Sequence, residues 1–187
     1  MNETDAAKVL AKKKNWSTPG PDRLANFWWK RAHSLHKGVA TAFQAISRRD
    51  EEYPQWFSEG KTSLIPKPRK FSSNNQRSTT CLNTIYKWYT SCLFVSTDKH
   101  LNHYELMEGV QRGLHAGCSE TVDNLLIDRM VKLDCHRKKC NLSMGWVDIK
   151  AYHSIDHGWL EEMMLMHRFP TWLCRATRIC QEAGVPE

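Results

Sequence analysis

Apolar and polar residues alternate most cleanly just before Asp148. Leu142, Met144 and Trp146 take turns with Asn141, Ser143 and Gly145, the period-two pattern of a strand with one buried face. The run ends on Asp148, and Ser154 and Asp156 follow as helix N-caps ahead of Trp159, Leu160, Met163 and Met164 at helical spacing. A strand that delivers a carboxylate at its end, with a helix leading away, suits a divalent metal held at the lip of a sheet. A polar strand terminus would produce the same local pattern.

The other elements follow from the same kind of pattern. Residues 2–14 predict a short basic helix whose only large apolar side chains are Val9 and Leu10, so it is expected to be solvated or frayed. Asn15 to Asp22 is a rigid turn, because Pro19 and Pro21 fix φ and Gly20 between them is free to take left-handed angles. From Leu24, the positions Phe27, Trp28, Leu35, Val39, Ala42, Phe43 and Ile46 make one broad face of a helix of roughly six turns. Lys61 to Lys67 predicts a short strand that stops or lies at an edge at Pro66, and Pro68 to Arg77 a polar, basic loop. A helix is expected from Leu82, carried by Ile85, Tyr86, Tyr89, Leu93 and Leu101 and interrupted near the β-branched Val95 and Thr97. Gln111, Gly113 and Gly117 mark a loop. Ser119 then caps the clearest helix, with Val122, Leu125, Leu126, Met130 and Leu133 on one face and Arg137-Lys138-Lys139 at its end. Pro170 opens a last helix through Trp172, Leu173, Ala176 and Ile179.

Composition narrows the function classes. In 187 residues, 27 Lys and Arg stand against 20 Asp and Glu, a net charge of +7 that favours a polyanionic partner. Five cations, Lys61, Lys67, Arg69, Lys70 and Arg77, crowd around the predicted strand and its loop, a local density suited to phosphates, although a solvated basic loop has the same composition. Seven cysteines at irregular spacings, an odd number with no Cys-x-x-Cys pair, argue for reduced thiols in an intracellular protein, cytoplasmic or nuclear. The N-terminus lacks a signal-peptide core and no apolar run approaches the ~18 residues of a membrane span, so no membrane partner is expected.

Smaller constellations have ordinary explanations. His153 and His157 flank Asp156 and could share a helical face toward a metal, but that spacing is common and the glutamate of the zinc-protease motif is missing. Cys135, His136 and Cys140 lack a second ligand pair. His33 and His36 are expected on a solvated helix edge. Trp28, Trp146, Trp159 and Trp172 occupy core-like periodic positions, which favours packing over stacking on bases.

Four stretches, in this order, resemble the reverse transcriptases of non-long-terminal-repeat (LINE-type) retrotransposons. They are the Thr-Pro-Gly-Pro-Asp turn at Thr18 to Asp22; Leu64-Ile65-Pro66-Lys67 with Asn75-Gln76-Arg77-Ser78-Thr79, Thr80-Cys81-Leu82 and Tyr86-Lys87; Gln111 and Gly113 leading to Thr121 and Asp123; and Asp148 with Ala151-Tyr152-His153-Ser154. The resemblance implies an α+β, helix-rich fold made of the fingers and first part of the palm of a right-hand polymerase. Residues 1–22 would form an N-terminal helix and Pro-Gly turn, and residues 23–187 a truncated reverse-transcriptase-like domain. It implies Lys67 and Arg77 as ligands of the incoming triphosphate and Tyr152 as the aromatic under its sugar. Lys61, Arg69, Lys70, Gln111 and Gly113 would contact nucleic acid, and Asp148 would be the first catalytic, Mg2+-binding aspartate. The implied partners are RNA or an RNA/DNA duplex, and a partner chain that supplies the rest of the palm.

The departures from the family pattern shape the expected activity. Tyr152 follows Asp148 by four residues, one fewer than in the family, and in extended backbone one deletion turns the following side chains to the other face. His153 stands where the family has an aspartate, and Gln76 and Ser78 replace the aromatic and proline beside Arg77. No Asp-Asp pair occurs in the sequence, and the family's later palm strand and thumb would lie beyond its last residue. Two-metal chemistry needs several carboxylates to hold ions about 4 Å apart. The chain alone is therefore expected not to polymerise DNA. The alternatives are a non-catalytic remnant that binds nucleic acid or a partner, and a remnant without function.

Overall fold

The structure, a computed structural model, describes residues 2–48, 53–66, 76–106, 120–145 and 155–183. The fold is α+β and helix-rich, with one two-stranded sheet among the described residues. The chain divides into two compact units, Met1–His100 with Asp156–Glu187, and Leu101–Ile155.

In the first unit the aromatic core centres on α5 (Thr84–His103), a continuous helix of 20 residues. The interruption expected near Val95 and Thr97 does not occur. β-Branched residues cost a helix only some tenths of a kcal/mol each, and α5 buries Tyr86, Trp88, Tyr89, Cys92 and Leu93, which outweighs that cost. Trp88 and Tyr89 are wholly buried, and Phe43 lies 5.5 Å from the first ring and 5.2 Å from the second. Phe57 joins the cluster at 5.4 Å from Tyr86 and 5.7 Å from Tyr89. The tilted and edge-on ring arrangements are those that aromatic quadrupoles favour.

Helix α1 (Glu3–Lys12) begins on Asn2, whose side chain accepts from the Asp5 N–H at 2.7 Å, and carries acids in its first turn and Lys12 in its last. It is a packed element, not the frayed one expected. Ala6 and Leu10 are buried, and the Trp88 indole Nε1 donates to the Ala6 carbonyl at 2.8 Å. A short alanine gave no sign of this in the sequence, because its small size is what lets the indole reach the backbone.

The single long helix expected from Leu24 is broken. It consists of α2 (Asn26–Arg31), a 3-10 turn at His33–Leu35 and α3 (His36–Arg48), with Ala32 at φ −83°, ψ 55° between them. The break resets the helical phase. His36, Ala40, Phe43 and Ser47 face inward, while Leu35 and Trp28 are more than half exposed. His36 is thus a core residue rather than a solvated one. Its Nε2 donates to the Trp29 carbonyl at 2.8 Å, one of the acceptors left over where α2 ends, and its ring meets Trp88 edge-on at 5.5 Å. Ser47 answers the buried Tyr89 hydroxyl, lying 3.1 Å from it while donating to the Phe43 carbonyl at 2.9 Å.

The C-terminal helices close the unit. Asp156 caps α7 (His157–Met166) by accepting from the Trp159 N–H at 2.8 Å, and α8 (Thr171–Ala183) starts directly after Pro170, both as the sequence predicts. Helix α8 packs on α3 and α7, and its Leu173, Cys174 and Ala176 are buried. Trp159, expected in the core, is exposed. In the second unit, α6 (Glu120–Lys138) forms as expected, with Lys132 on Asp128 and Lys138 on Asp134 at 2.8 Å, one turn apart. Among the described residues of that unit nothing covers Val122, Leu125, Leu126, Met130 and Leu133. Asn141 to Gly145, the first half of the strand expected before Asp148, is exposed and in no regular element, and no described strand pairs with it. Alternation alone does not make a strand; a hydrogen-bonding neighbour must be present.

The joint that sets the entry to α5 is Asn83, which is 2% exposed. Its Oδ1 accepts from the Asp22 N–H at 3.1 Å and its Nδ2 donates to the Trp56 carbonyl at 2.6 Å. Beside it Thr84 Oγ1 donates to the Leu24 carbonyl at 2.5 Å, and Lys87 Nζ to the Thr18 carbonyl at 2.9 Å. Gly20 comes so close that a Cβ there would lie 2.5 Å from Asn83 Oδ1. Asn83→Ala is expected to lower the unfolding free energy by about 2 kcal/mol or more, since it strands two backbone groups at once. Urea unfolding measures this, and a change within a few tenths would mean that the amide bridges nothing.

Burial also sets the ionisation of the core. It pushes the Tyr89 phenol up to about 12 against the Ser47 hydrogen bond, and the Cys92 thiol up to about 11 against the pull of Lys13. Tyr86, Cys174 and Cys180 are raised for the same reason. An acid with a raised folded-state pKa keeps its proton longer in the native state, so its stabilisation is complete below the ordinary values of 9.0 for thiols and 10.0 for phenols and is lost as pH rises through the folded values. Lys13, lowered mainly by burial, acts in the opposite sense, as one group against five. The urea midpoint is expected to fall between about pH 8 and about pH 11; an unchanged midpoint would contradict the burial of these side chains.

Candidate nucleic-acid interface

The basic stretch of the sequence folds as a hairpin. Strand β1 (Gly60–Pro66) pairs antiparallel with β2 (Gln76–Leu82), from Gly60 opposite Leu82 to Pro66 opposite Gln76. β1 ends at Pro66 as expected, where the missing N–H ends the ladder. The sequence left Gln76 to Leu82 without a strand assignment, and Arg77 sits in β2 rather than in a loop, opposite Ile65. Thr79 and Thr80 are the signal for β2: β-branched residues suit a pleated surface, and the Thr80 hydroxyl lies 2.8 Å from that of Thr62 across the ladder. At the base a Cβ on Gly60 would approach the Thr80 methyl to 2.7 Å and a Leu82 methyl to 2.9 Å, so a larger residue there would have to move those side chains.

Every residue of β1 is exposed, Leu64 and Ile65 included, so the ribbon presents both faces to solvent. Strand parity puts positions 61, 63 and 65 of β1 and 77, 79 and 81 of β2 on one face. Lys61 and position 77 lie four residues apart along the ladder, roughly 13 Å at strand rise. The other face carries Thr62, Leu64, Ser78 and Thr80, without charge. An isolated two-stranded ribbon is marginal in water. This one is anchored where β2 runs into Asn83 and α5, and where the short α4 (Gln55–Ser58) precedes β1 and offers the Trp56 carbonyl to Asn83.

Of the residues the sequence singles out, the structure places Lys61, exposed in β1, and the backbone of Arg77 in β2. Lys67, Arg69, Lys70, Gln111, Gly113, Asp148 and Tyr152 lie outside the described residues. The sequence brings one carboxylate to its aspartate strand, where two-metal chemistry needs several, and no chemical step is assigned to a metal there. The six described cysteines are all free thiols. No described helix is long and apolar enough to cross a membrane.

Sequence reasoning missed Asn83 as the joint that holds the hairpin's base. Its signal was present as an N-cap residue type between a β-branched run and a helical one, but its partners are 61 and 27 residues away in sequence. Against known proteins, the sequence matches no family model and no curated protein. Because no described residue buries Leu64, Leu64→Lys is expected to shift the unfolding free energy by less than about 0.5 kcal/mol. A loss above 1.5 kcal/mol, roughly the value of burying a leucine, would mean that this face is covered.

Proposed function

We propose that this chain is the fingers and first palm motif of an RNA-directed DNA polymerase of the LINE type. In this reading it binds nucleic acid through the basic hairpin and does not polymerise by itself. One observation carries it. Two of the stretches that resemble the family, the Thr18–Asp22 turn and the β2 to α5 junction, are about 60 residues apart and pack directly on each other through Gly20, Asp22, Asn83 and Lys87. Motifs of a common ancestor that serve one module should meet in space, and chance matches need not. The exposed ribbon and the net charge of +7 suit a polyanion, and the lone palm carboxylate argues against independent catalysis. Lys67, Arg77 and Tyr152 would serve the incoming nucleotide, and Asp148 the metal once partner carboxylates are supplied by another chain.

The ribbon, which no described element covers, equally suits a remnant in which binding persists without chemistry. Fluorescence anisotropy of a labelled RNA/DNA primer-template at several salt concentrations tests the shared claim. Saturable binding should weaken linearly in log salt and lose several-fold in affinity in Lys61→Glu/Arg77→Glu. Absence of binding at low salt by a monodisperse sample would reduce the resemblance to ancestry. In the same samples, templated extension of the primer with Mg2+ or Mn2+ would overturn the claim that the chain is inactive alone.

A further inference from the structure

Away from the hairpin, α1 and α5 enclose an open groove of about 450 Å³. Four lysines line it, Lys8, Lys12 and Lys13 from α1 and its end and Lys99 from α5, against one carboxylate, Asp5. Val9 and Val95 supply its apolar part. Lys8 and Lys12 are one turn apart on α1, about 6 Å along the axis, and Val95 and Lys99 one turn apart on α5, so each helix turns a single face to the groove. Lys8, Lys12 and Lys99 are exposed, and none is ion-paired among the described residues.

Lys13 differs from the others. It is half-buried, its ammonium donates to Ser91 Oγ, and burial followed by the nearby Lys87 lowers its pKa, with Cys92 opposing. Cations gathered at this density without matching carboxylates repel one another, and a bound anion relieves that repulsion. Lysine ammonium groups serve phosphates as point charges. The lining contains no aromatic ring, no amide and no glycine-rich loop, hence nothing to stack on or read a base.

We propose that the α1–α5 groove is a second nucleic-acid contact that grips the phosphodiester backbone of a single strand without regard to sequence. This rests on the reading of the chain as a nucleic-acid binder but uses none of the hairpin's residues. The test is anisotropy of a fluorescein-labelled 20-nucleotide RNA, as polyuridylate and as a mixed sequence, with the whole chain, with Lys8→Gln/Lys12→Gln/Lys99→Gln, and with Lys61→Glu/Arg77→Glu. Neutral glutamines at three exposed positions keep helix propensity, and matching thermal melts check the fold.

Loss of three phosphate contacts should weaken binding about tenfold or more at low salt and reduce the log–log salt slope by about 2, equally for both RNAs. The hairpin variant should retain the groove's share of that slope. If the glutamine variant binds like the parent while the hairpin variant is weakened, the groove proposal fails and the hairpin reading stands. If the loss appears with one RNA only, the contact reads bases and the backbone assignment fails. If the parent chain binds neither RNA, both readings fail together.

Discussion

A buried amide has few ways to satisfy itself, and that of Asn83 uses both ends of its dipole on backbone groups from two different segments. One is the turn at Asp22 and the other the end of α4 at Trp56. An unpaired donor or acceptor at that depth costs about 1–3 kcal/mol, so the segments are fixed together rather than merely adjacent. The consequence reaches in three directions. The Pro-Gly turn is pressed onto the junction closely enough to require glycine at position 20, α5 is launched with its aromatic face toward α1 and α3, and β2 meets the same point from a ribbon that no described element covers.

The aromatic cluster on α5 then explains the rest of the first unit. Trp88 fills the space between Phe43, His36 and the backbone of α1, and its N–H needs the Ala6 carbonyl. A helix with two large adjacent rings buried cannot be covered from one side, which is why α1, α3 and α8 gather around it from both ends of this unit's sequence. The thiols and phenols caught in that packing have raised pKa values that follow from burial more than from any charged neighbour.

The parts legible in the sequence were those decided by neighbours in the chain. The strand ending at Pro66, the cap at Asp156 and the helix after Pro170 depend on residues a few positions apart. What stayed hidden depends on partners far along the chain. Ala6 and His36 are inside because Trp88 is there, and Trp28 and Trp159 are outside although their spacing matches a buried face. Leu142 to Gly145 alternates like a strand, yet alternation specifies a face and not a neighbour. For the candidate site, the cationic content of the hairpin was readable as composition. Its two-sided exposure was not, because a strand with one apolar pair, Leu64 and Ile65, reads the same whether or not something covers it.

That ribbon has a second physical property besides its affinity for phosphate. Among the described residues its two edges are unpaired, and it carries β-branched residues and an exposed Leu-Ile pair, the ingredients by which one copy of a strand adds to another. The exposed Lys61 acts as a gatekeeper against such stacking, since like charges would be brought into register with every copy added. The same cation therefore favours solubility, and a polyanion bound to it would remove the repulsion.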